Sequence, residues 1–271
     1  MLEEWQGRTG QSWADEWRRT DRSFGMLTER LLQRTREFRF NQVVDVGCGA
    51  GELSLALARG RPGVQVTGVD VSPPLVAAAR ERGENLANVA FEVADAAEWQ
   101  PADGHAPDLI VSRHGVMFFP DPQAAFAHLG AIAAPAAALL FSCFRDREEN
   151  PFFHEVGRLL PLTQPTSPYE PGPFAFADRA RVEGILSAAG WAALDFEPFD
   201  FAMVAGAGED PVADAVEYFS RIGPAARILR DMDKAERARA VERIAEVAER
   251  NRYDNIVSLR ASVWIVTGRK A

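Results

Sequence analysis

The chain has 271 residues, of which 47% are hydrophobic and 25% are charged. These fractions are typical of a soluble globular protein, and the length suits one large α/β domain or one domain with a lid. The 30 basic and 39 acidic residues give a formal net charge of −9. Because a negative protein repels polyanions, the composition argues against DNA, RNA and anionic membranes as partners.

The cysteines and the first residues bear on the compartment. Cys48 and Cys143 are too few for a disulfide framework, and no charged start followed by an apolar run marks a signal peptide. An uncharged stretch at 122–144 has the length of a membrane span. Because it contains Pro135 and is rich in alanine, a helix followed by a buried strand is the better interpretation. We expect a cytoplasmic protein that does not enter the membrane.

Residues 1–40 carry tryptophan, phenylalanine and leucine at helical spacing among charged residues. This pattern predicts helices that pack an apolar face against the rest of the chain, and the same helices could serve as a lid. We therefore expect an N-terminal helical lid at 1–40, followed by one domain at 41–271. The residues that define the pattern are Trp5, Trp13, Trp17, Phe24, Leu27, Leu31 and Leu32.

From residue 43 to 143, short apolar runs rich in β-branched residues alternate with helical patterns. This alternation predicts an α/β fold in which helices cover a parallel sheet. The predicted strands are 43–46, 64–69, 89–93, 109–112 and 138–141, and the predicted helices are 52–59, 73–82 and 123–133.

The second half predicts a loop and a helical insertion. Five prolines within 161–173 exclude a helix or a central strand there, and a loop of this kind can border a substrate cavity, so we assign 146–177 to the acceptor side. Asp178 is expected to begin a helix that Gly190 ends. The remaining predicted elements are a strand at 191–203, two or three helices within an insertion at 209–252, and a last strand at 258–267.

The most informative segment is VVDVGCGAGELSLALA, residues 43–58, which predicts a strand, a glycine-rich turn and a helix. Glycines in such a turn permit positive φ and close approach of a ligand, and ligands of open α/β sheets lie beyond the carboxyl ends of the strands. The third glycine of a dinucleotide fingerprint would fall at position 52, which is Glu52. This acid and the absence of a Gly-Lys-Ser/Thr sequence argue against NAD and against polyphosphates.

Each of the first three predicted strands ends in an acid. Asp45 can accept a hydrogen bond from an ammonium group, and Asp70, about twenty residues past the glycines, can reach ribose hydroxyls. Asp95 can accept one from an exocyclic amine such as that of adenine. An amine, a ribose and an adenine together indicate S-adenosylmethionine.

Residues 40–145 resemble the class I S-adenosylmethionine-dependent methyltransferases through VVDVGCGAG, Asp70 and Asp95. Three further segments are similar to a bacterial branch near the ubiquinone/menaquinone-type enzymes. They are SRHGVMFFPDP at 112–122, EENPFF at 148–153 and the segment at 171–191. The resemblance implies a Rossmann-like sheet of seven mostly parallel strands with an antiparallel last strand, and a cofactor half at 41–145.

The resemblance also implies roles for individual residues. The glycines would line the methionine part, Asp70 the ribose, and Asp95 with Ala96 the adenine, with Val71 beside the ring. Cys48 is expected to be an inert turn residue, because nothing beside it lowers a thiol pKa. Trp13 could fold over the sulfonium. The expected cofactor-binding residues are Asp45, Gly47, Cys48, Gly49, Gly51, Asp70, Val71, Asp95, Ala96, Ser112 and Trp13.

On the acceptor side, methyl transfer needs alignment first and a base only for some acceptors. His114, just after the fourth predicted strand, is the candidate base, and Arg113 could bind an acceptor carboxylate or pair with Asp121. The four histidines show no metal-site spacing, so no metal is expected. Tyr169 and His154 are weaker candidates, and His128 is interpreted as structural.

These observations predict a methyltransferase for a small-molecule acceptor, since the Asn/Asp-Pro-Pro-aromatic sequence of many nucleic-acid base methyltransferases is absent after the fourth strand. A non-catalytic S-adenosylmethionine-binding module is the alternative, and an oxidoreductase is disfavoured by Glu52. A homodimer is possible, with the insertion at 209–252 as either lid or dimer surface.

Overall fold

The predicted strands form one β-sheet, and helices connect them along the chain. The computed structural model describes residues 2–102, 104–158, 167 and 169–271. The strands in these ranges are β1 (Gln42–Val46), β2 (Gln65–Asp70), β3 (Val89–Val93), β4 (Leu109–Arg113), β5 (Ala138–Phe144), β6 (Trp191–Ala207), β7 (Arg252–Tyr253) and β8 (Ile256–Lys270). Their order in the sheet is β3-β2-β1-β4-β5-β8-β6, and β7 pairs with β8.

The first five strands are parallel and form the part of the sheet that matters for the site. β1 lies between β2 and β4, with Val44 level with Thr67 on one side and Ile110 on the other. Every residue of β5 is buried, which explains why its sequence is a continuous apolar run. Because the strands are parallel, their carboxyl ends meet at one edge of the sheet.

The C-terminal strands reverse this direction. β8 runs antiparallel to both β5 and β6. The predicted fold class, a mostly parallel sheet with an antiparallel last strand, is therefore confirmed. The two-residue strand β7 was not predicted, because a hairpin that short leaves no alternation in the sequence.

The helices begin where polar residues cap their free N–H groups. Asp178 accepts hydrogen bonds from Ala180 N and Arg181 N, as predicted, and Asp233 with Glu236 forms a capping box. The helices are α1 (Leu2–Gln6), α2 (Arg8–Asp15), α3 (Trp17–Thr35), α4 (Glu52–Gly60), α5 (Pro73–Gly83), α6 (Pro122–Ile132), α7 (Pro151–Arg158), α8 (Arg179–Ala188), α9 (Pro211–Arg221), α10 (Gly223–Asp231) and α11 (Lys234–Arg250).

The long helix α3 belongs to the core of the protein. Its residues Phe24, Leu27 and Leu31 are buried in the main apolar cluster. Ion pairs add to this packing, with Glu197 of β6 accepting from Arg30 at 2.7 Å and also from Arg34. The helix therefore packs on the sheet, as the sequence pattern predicts.

The segment expected to be a loop on the acceptor side contains structure of its own. A short 3-10 helix, Arg147–Glu149, precedes α7, and Phe153 of α7 packs 4.8 Å from Phe174 between ring centroids. Most of the proline-rich part, residues 161–166 and 168, lies outside the described residues. No helix among the described residues is long and apolar enough to cross a membrane.

Candidate active site

The glycine-rich turn follows β1 and is held by the neighbouring strand. The backbone N–H groups of Gly47 and Cys48 donate to the carbonyl of Val69 at 2.8 and 3.1 Å. The N–H of Gly51 donates to the carbonyl of Cys48 at 2.9 Å. All three glycines have positive φ, at 64°, 55° and 86° for positions 47, 49 and 51. The turn is therefore rigid and requires glycine.

The three glycines differ in what surrounds them. A Cβ on Gly47 would lie 2.7 Å from the Cα of Gly115, and one on Gly51 would lie 2.9 Å from the ring of Phe91. A Cβ on Gly49 would meet no described atom within 4 Å. Gly47 and Gly51 thus allow close packing within the protein. Gly49 instead borders space that a ligand can occupy.

Asp70 ends β2 and faces the same turn. One carboxylate oxygen accepts from the N–H of Gly49 at 2.8 Å, and the other accepts from the N–H of Ser72 at 2.9 Å. Burial raises the pKa of Asp70, although these backbone bonds act in the opposite direction. The N–H of Val71 is a third donor to this carboxylate, whose two oxygens offer about four acceptor positions, so one position remains for the expected contact with ribose hydroxyls.

Asp45 of β1 is the most unusual acid at this edge. Its Oδ2 accepts from the hydroxyl of Ser54 at 2.6 Å, while its Oδ1 is buried without a hydrogen-bond partner. Burial raises the pKa of this carboxyl to about 7. An unpartnered buried oxygen is costly, and an ammonium donor would satisfy it. The residue therefore fits the amino group of the expected cofactor.

The third acid follows β3, next to β2 in the sheet. Asp95 is half-buried and accepts from the N–H of Ala97 at 2.9 Å through Oδ1, which leaves Oδ2 without a described bond. Ala96 is buried and Val71 is half-buried. Because β1, β2 and β3 are adjacent, the structure places Asp45, Asp70 and Asp95 along one edge, in chain order.

Ser112 and Cys48 have local structural roles. The hydroxyl of Ser112 donates to the carbonyl of Val46 at 2.7 Å and accepts from the N–H of Gly115 at 3.0 Å. It thereby joins the end of β1 to the segment after β4. Burial raises the pKa of the Cys48 thiol well above its usual value, with Asp70 and Asp45 adding to the shift. Cys48 is therefore an uncharged thiol.

Arg113 ends β4 and points to α3. It donates to the hydroxyl of Thr28 at 2.7 Å, and its other terminal nitrogen lies 3.7 Å from Asp21. The suggested pairing with Asp121 is wrong, because Asp121 instead accepts from the N–H of Ala124 and caps α6. The acid that pairs with Arg113 comes from the N-terminal helices.

His114 combines three uncommon features. Its φ is 68°, a left-handed conformation that is rare outside glycine and concentrates at functional sites. Its ring stacks on Phe144 at 4.2 Å, with Nδ1 3.5 Å from the hydroxyl of Ser142. Its Nε2 is buried without a described partner, and burial together with the charge of Arg113 lowers the pKa of the imidazole to about 3.

The other acceptor-side candidates are less well placed. Tyr169 is half-exposed, with the guanidinium of Arg181 4.6 Å from its ring centroid. His128 lies with Nε2 2.7 Å from the carbonyl of Trp99, which supports the structural interpretation. The side chain of His154 lies outside the described part of the chain.

The N-terminal helices lie over the carboxyl edge of the sheet. A Cβ on Gly10 of α2 would be 2.2 Å from the hydroxyl of Ser72, so this helix rests directly on the residues after Asp70. Trp13 packs 5.7 Å from Trp5, whose ring in turn meets Phe118 edge-on at 5.3 Å. These aromatic rings connect the helices to the segment after β4.

Sequence reasoning missed several residues of this region. Arg82 donates to the carbonyl of Ala50 in the glycine turn at 2.6 Å and pairs with Asp21. Tyr218 of α9 is buried with its hydroxyl facing Ser23 of α3. These residues belong to no motif and are distant in sequence from the turn, so no local signal could have identified them.

Part of the chain is similar in sequence to known methyltransferases. Residues 43–136 match a family described as a methyltransferase domain. Trans-aconitate 2-methyltransferase from Variovorax paradoxus (strain S110) is 36% identical over 140 residues, which are 52% of this chain and 50% of that protein. The protein of the same name from Escherichia coli O17:K52:H18 is 35% identical over 109 residues, or 40% of this chain and 41% of that protein. The chain thus spans about half the length of the curated relatives it matches.

Solved structures show the same fold at low sequence identity. Phosphoethanolamine N-methyltransferase 2 from Haemonchus contortus, in complex with S-adenosyl-L-methionine, has a TM-score of 0.59 at 17% identity, covering 100% of this chain and 60% of that chain. YcgJ protein from Bacillus subtilis has a TM-score of 0.54 at 17% identity, with 92% and 97% covered.

Proposed function

We propose that this chain, whose residues 43–136 match a methyltransferase domain family, is a class I S-adenosylmethionine-dependent methyltransferase that transfers the methyl group of its cofactor to a small-molecule acceptor. The observation that carries the proposal is the edge formed by β1, β2 and β3. There a buried Asp45 oxygen lacks a partner and Gly49 borders open space. When bound, S-adenosylmethionine supplies an electron-poor methyl group on its sulfonium.

The residues at this edge would hold the cofactor by its polar groups. Asp45 would accept from the ammonium group through its free oxygen, and Asp70 would accept from the ribose hydroxyls. Asp95 with Ala96 would lie at the adenine, beside Val71. Gly49 would allow the chain to approach the methionine part, and Gly47 and Gly51 would keep the turn in shape.

The N-terminal helices would complete the site as a lid over residues 41–271. Trp13 of α2 packs on Trp5 of α1, which in turn packs on the segment after β4, and these rings can exclude water from the transfer step. On the other side, ion pairs tie α3 to the insertion at 209–252, with Arg19 2.7 Å from Asp214. The insertion would thus serve as part of the cover rather than as a separate module.

The acceptor would meet the methyl group near the end of β4. His114 would present its free Nε2 as an uncharged hydrogen-bonding group. A pKa of about 3 makes this imidazole a weak base at neutral pH, so it suits acceptors that need little help in losing a proton. Arg113 and the hydroxyl of Tyr218 would be further polar groups on the acceptor side of the site.

A carboxylate acceptor agrees with these residues. A carboxylic acid is already ionised at neutral pH, since its pKa is about 4, and it therefore needs no base. The curated relatives are named as methyltransferases of trans-aconitate, which makes this tricarboxylate the first acceptor to test. Nucleic acids are disfavoured by the net charge of −9. The described residues of the segment at 146–177 would border the acceptor.

The experiment is a transfer assay on the full-length chain. With S-adenosylmethionine and trans-aconitate, we expect S-adenosylhomocysteine and a methyl ester to form, as detected by mass spectrometry. His114→Ala should lower kcat by about tenfold or more if the imidazole aligns the acceptor. His105→Ala, at an exposed position, is the matched control. Cofactor binding without product from carboxylate, phenol, amine or thiol acceptors would instead indicate a non-catalytic binding module.

A further inference from the structure

Arg82, near the end of α5, joins three separate parts of the chain. One terminal nitrogen of its guanidinium donates to the carbonyl of Ala50 at 2.6 Å. The other donates to Asp21 of α3 at 2.6 Å and to Glu52 of α4 at 2.8 Å. The side chain is 11% exposed, so these contacts are shielded from solvent. A single side chain thus binds the glycine turn and the N-terminal helices together.

In the glycine turn, Arg82 binds the carbonyl of the peptide group between Ala50 and Gly51. The carbonyl of a trans peptide points away from its N–H, so the two can be held independently. Arg82 holds the carbonyl of Ala50, and the carbonyl of Cys48 holds the N–H of Gly51 at 2.9 Å. With the N–H of Gly49 bound to Asp70 at 2.8 Å, the turn around the open space at Gly49 is fixed on both flanks.

On the helix, two residues one turn apart meet the same guanidinium. Trp17 and Asp21 share a face of α3, and the ring centroid of Trp17 lies 3.8 Å from the guanidinium carbon. Asp21 also lies 3.7 Å from Arg113 at the end of β4. The residue that holds the turn therefore also holds the first half of α3 against the sheet edge.

We propose that Arg82 is a positioning residue that couples the packing of the first half of α3 to the shape of the glycine turn, so that the cofactor binds tightly only when this contact is formed. The inference rests on the proposed function, because it takes the turn as the cofactor site. It also brings α3, which lies before the matched residues 43–136, into the cofactor-binding machinery.

The charges give the coupling a definite sign. Asp21 and Glu52 both face Arg82 and interact with each other, and burial with the neighbouring Glu52 raises the pKa of Asp21 to about 6. Without the guanidinium, two partly buried carboxylates would oppose each other across the contact between α3 and α4. Loss of Arg82 should therefore loosen both the turn and the helix. In a variant that already lacks Arg82, loss of the Asp21 charge should relieve part of that repulsion.

The test is calorimetric titration of S-adenosylhomocysteine into the full-length protein. We expect Arg82→Gln to weaken binding about tenfold and Asp21→Asn to weaken it severalfold, since each removes charge-assisted hydrogen bonds. The double variant should bind no more weakly than Arg82→Gln alone, because both act through one contact. Arg59→Gln, at an exposed position of α4, is the matched control and should bind as the unchanged protein does.

A second measurement reports the docking itself. Trypsin cleavage at the exposed Arg18 of α3 should slow when S-adenosylhomocysteine binds the unchanged protein, and this protection should be lost in Arg82→Gln at saturating ligand. If Arg82→Gln does not fold, Arg82→Lys serves instead, because one ammonium group cannot span the three acceptors. Its near-ultraviolet circular dichroism should match the unchanged protein while its affinity falls.

Two results would overturn the inference. One is normal affinity and normal protection in the Arg82 variants, and the other is additive effects of Asp21→Asn and Arg82→Gln. Both leave cofactor binding by the unchanged protein intact, so they differ from failure of the proposed function, in which that protein does not bind S-adenosylhomocysteine at all.

Discussion

Asp45 is held where its negative charge is costly. The side chain is fully buried, only Ser54 donates to it, and one oxygen has no partner. Its neighbour Asp70 adds a like charge, and the pKa of Asp45 rises to about 7. An ionisable group that is costly to the free protein in this way is a candidate for ligand binding.

Asp45→Asn should therefore separate stability from binding. At pH 8 we expect the variant to be more stable than the unchanged protein by about 2 kcal/mol, because a buried charge is removed. Its affinity for S-adenosylhomocysteine should fall about tenfold with the loss of the ammonium partner. Denaturant unfolding and calorimetry measure the two effects, and a variant that is less stable and binds normally would contradict this role.

The pH dependence follows from the same carboxyl. Its pKa is about 7 in the folded chain and about 4 when unfolded. Between these values the folded state keeps a proton that the unfolded state has lost, so stability falls as pH rises from about 4 to about 7. The stability gain of Asp45→Asn should accordingly vanish near pH 4 and be complete at pH 8.

Gly49→Ala should impair binding more than folding. Because φ is 55° and no described atom lies within 4 Å of a Cβ, the expected folding cost is backbone strain of about 1 kcal/mol. The methyl group would occupy the proposed ligand space and weaken S-adenosylhomocysteine binding by about tenfold or more. Gly104→Ala, with φ of 80° and equally open surroundings, is the matched control. Equal affinity in both variants would remove Gly49 from the site.

At the scale of elements, the parallel strands and several helix N-caps could be predicted from the sequence. The short apolar runs predicted the parallel strands, and Asp178 predicted the start of α8. Helix α7 was missed, because eight residues that begin with Pro151 and lie beside a proline-rich stretch resemble a loop. Helix α3 packs on the sheet and also pairs with α9, and the sequence periodicity predicts only the first of these contacts.

Gly10→Ala tests the N-terminal helices as a lid. A Cβ there would lie 2.0 Å from the carbonyl of Trp5 and 2.2 Å from the hydroxyl of Ser72, so α1 and α2 would have to move away. We expect S-adenosylhomocysteine affinity to fall about tenfold, while global unfolding changes by less than about 1 kcal/mol. Gly25→Ala in α3, which meets no described atom, is the control. Unchanged affinity in Gly10→Ala would show that the lid is not required.

At the scale of the molecule, the residues at the carboxyl edge of β1, β2 and β3 were predictable, whereas the contacts that join the N-terminal helices to the rest of the chain were not. Glycines and acids at strand ends follow from the chemistry of one ligand, and they lie within about fifty residues of each other. The N-terminal helices are held by pairs such as Arg19–Asp214, 195 residues apart, and Arg82–Asp21, 61 residues apart. Charges on solvated helix faces look alike in a sequence, so only the folded chain shows which of them meet.

The central claim is that the carboxyl edge of β1, β2 and β3 binds an adenosyl cofactor, and calorimetric titration of S-adenosylhomocysteine into Asp70→Ala tests it most directly. The unchanged chain should bind one equivalent, and Asp70→Ala should bind at least about tenfold more weakly, because charged hydrogen bonds to ribose are lost. Asp231→Ala, at an exposed helix end, should bind normally. Equal binding by Asp70→Ala and the unchanged chain, or no binding by either, would contradict the claim.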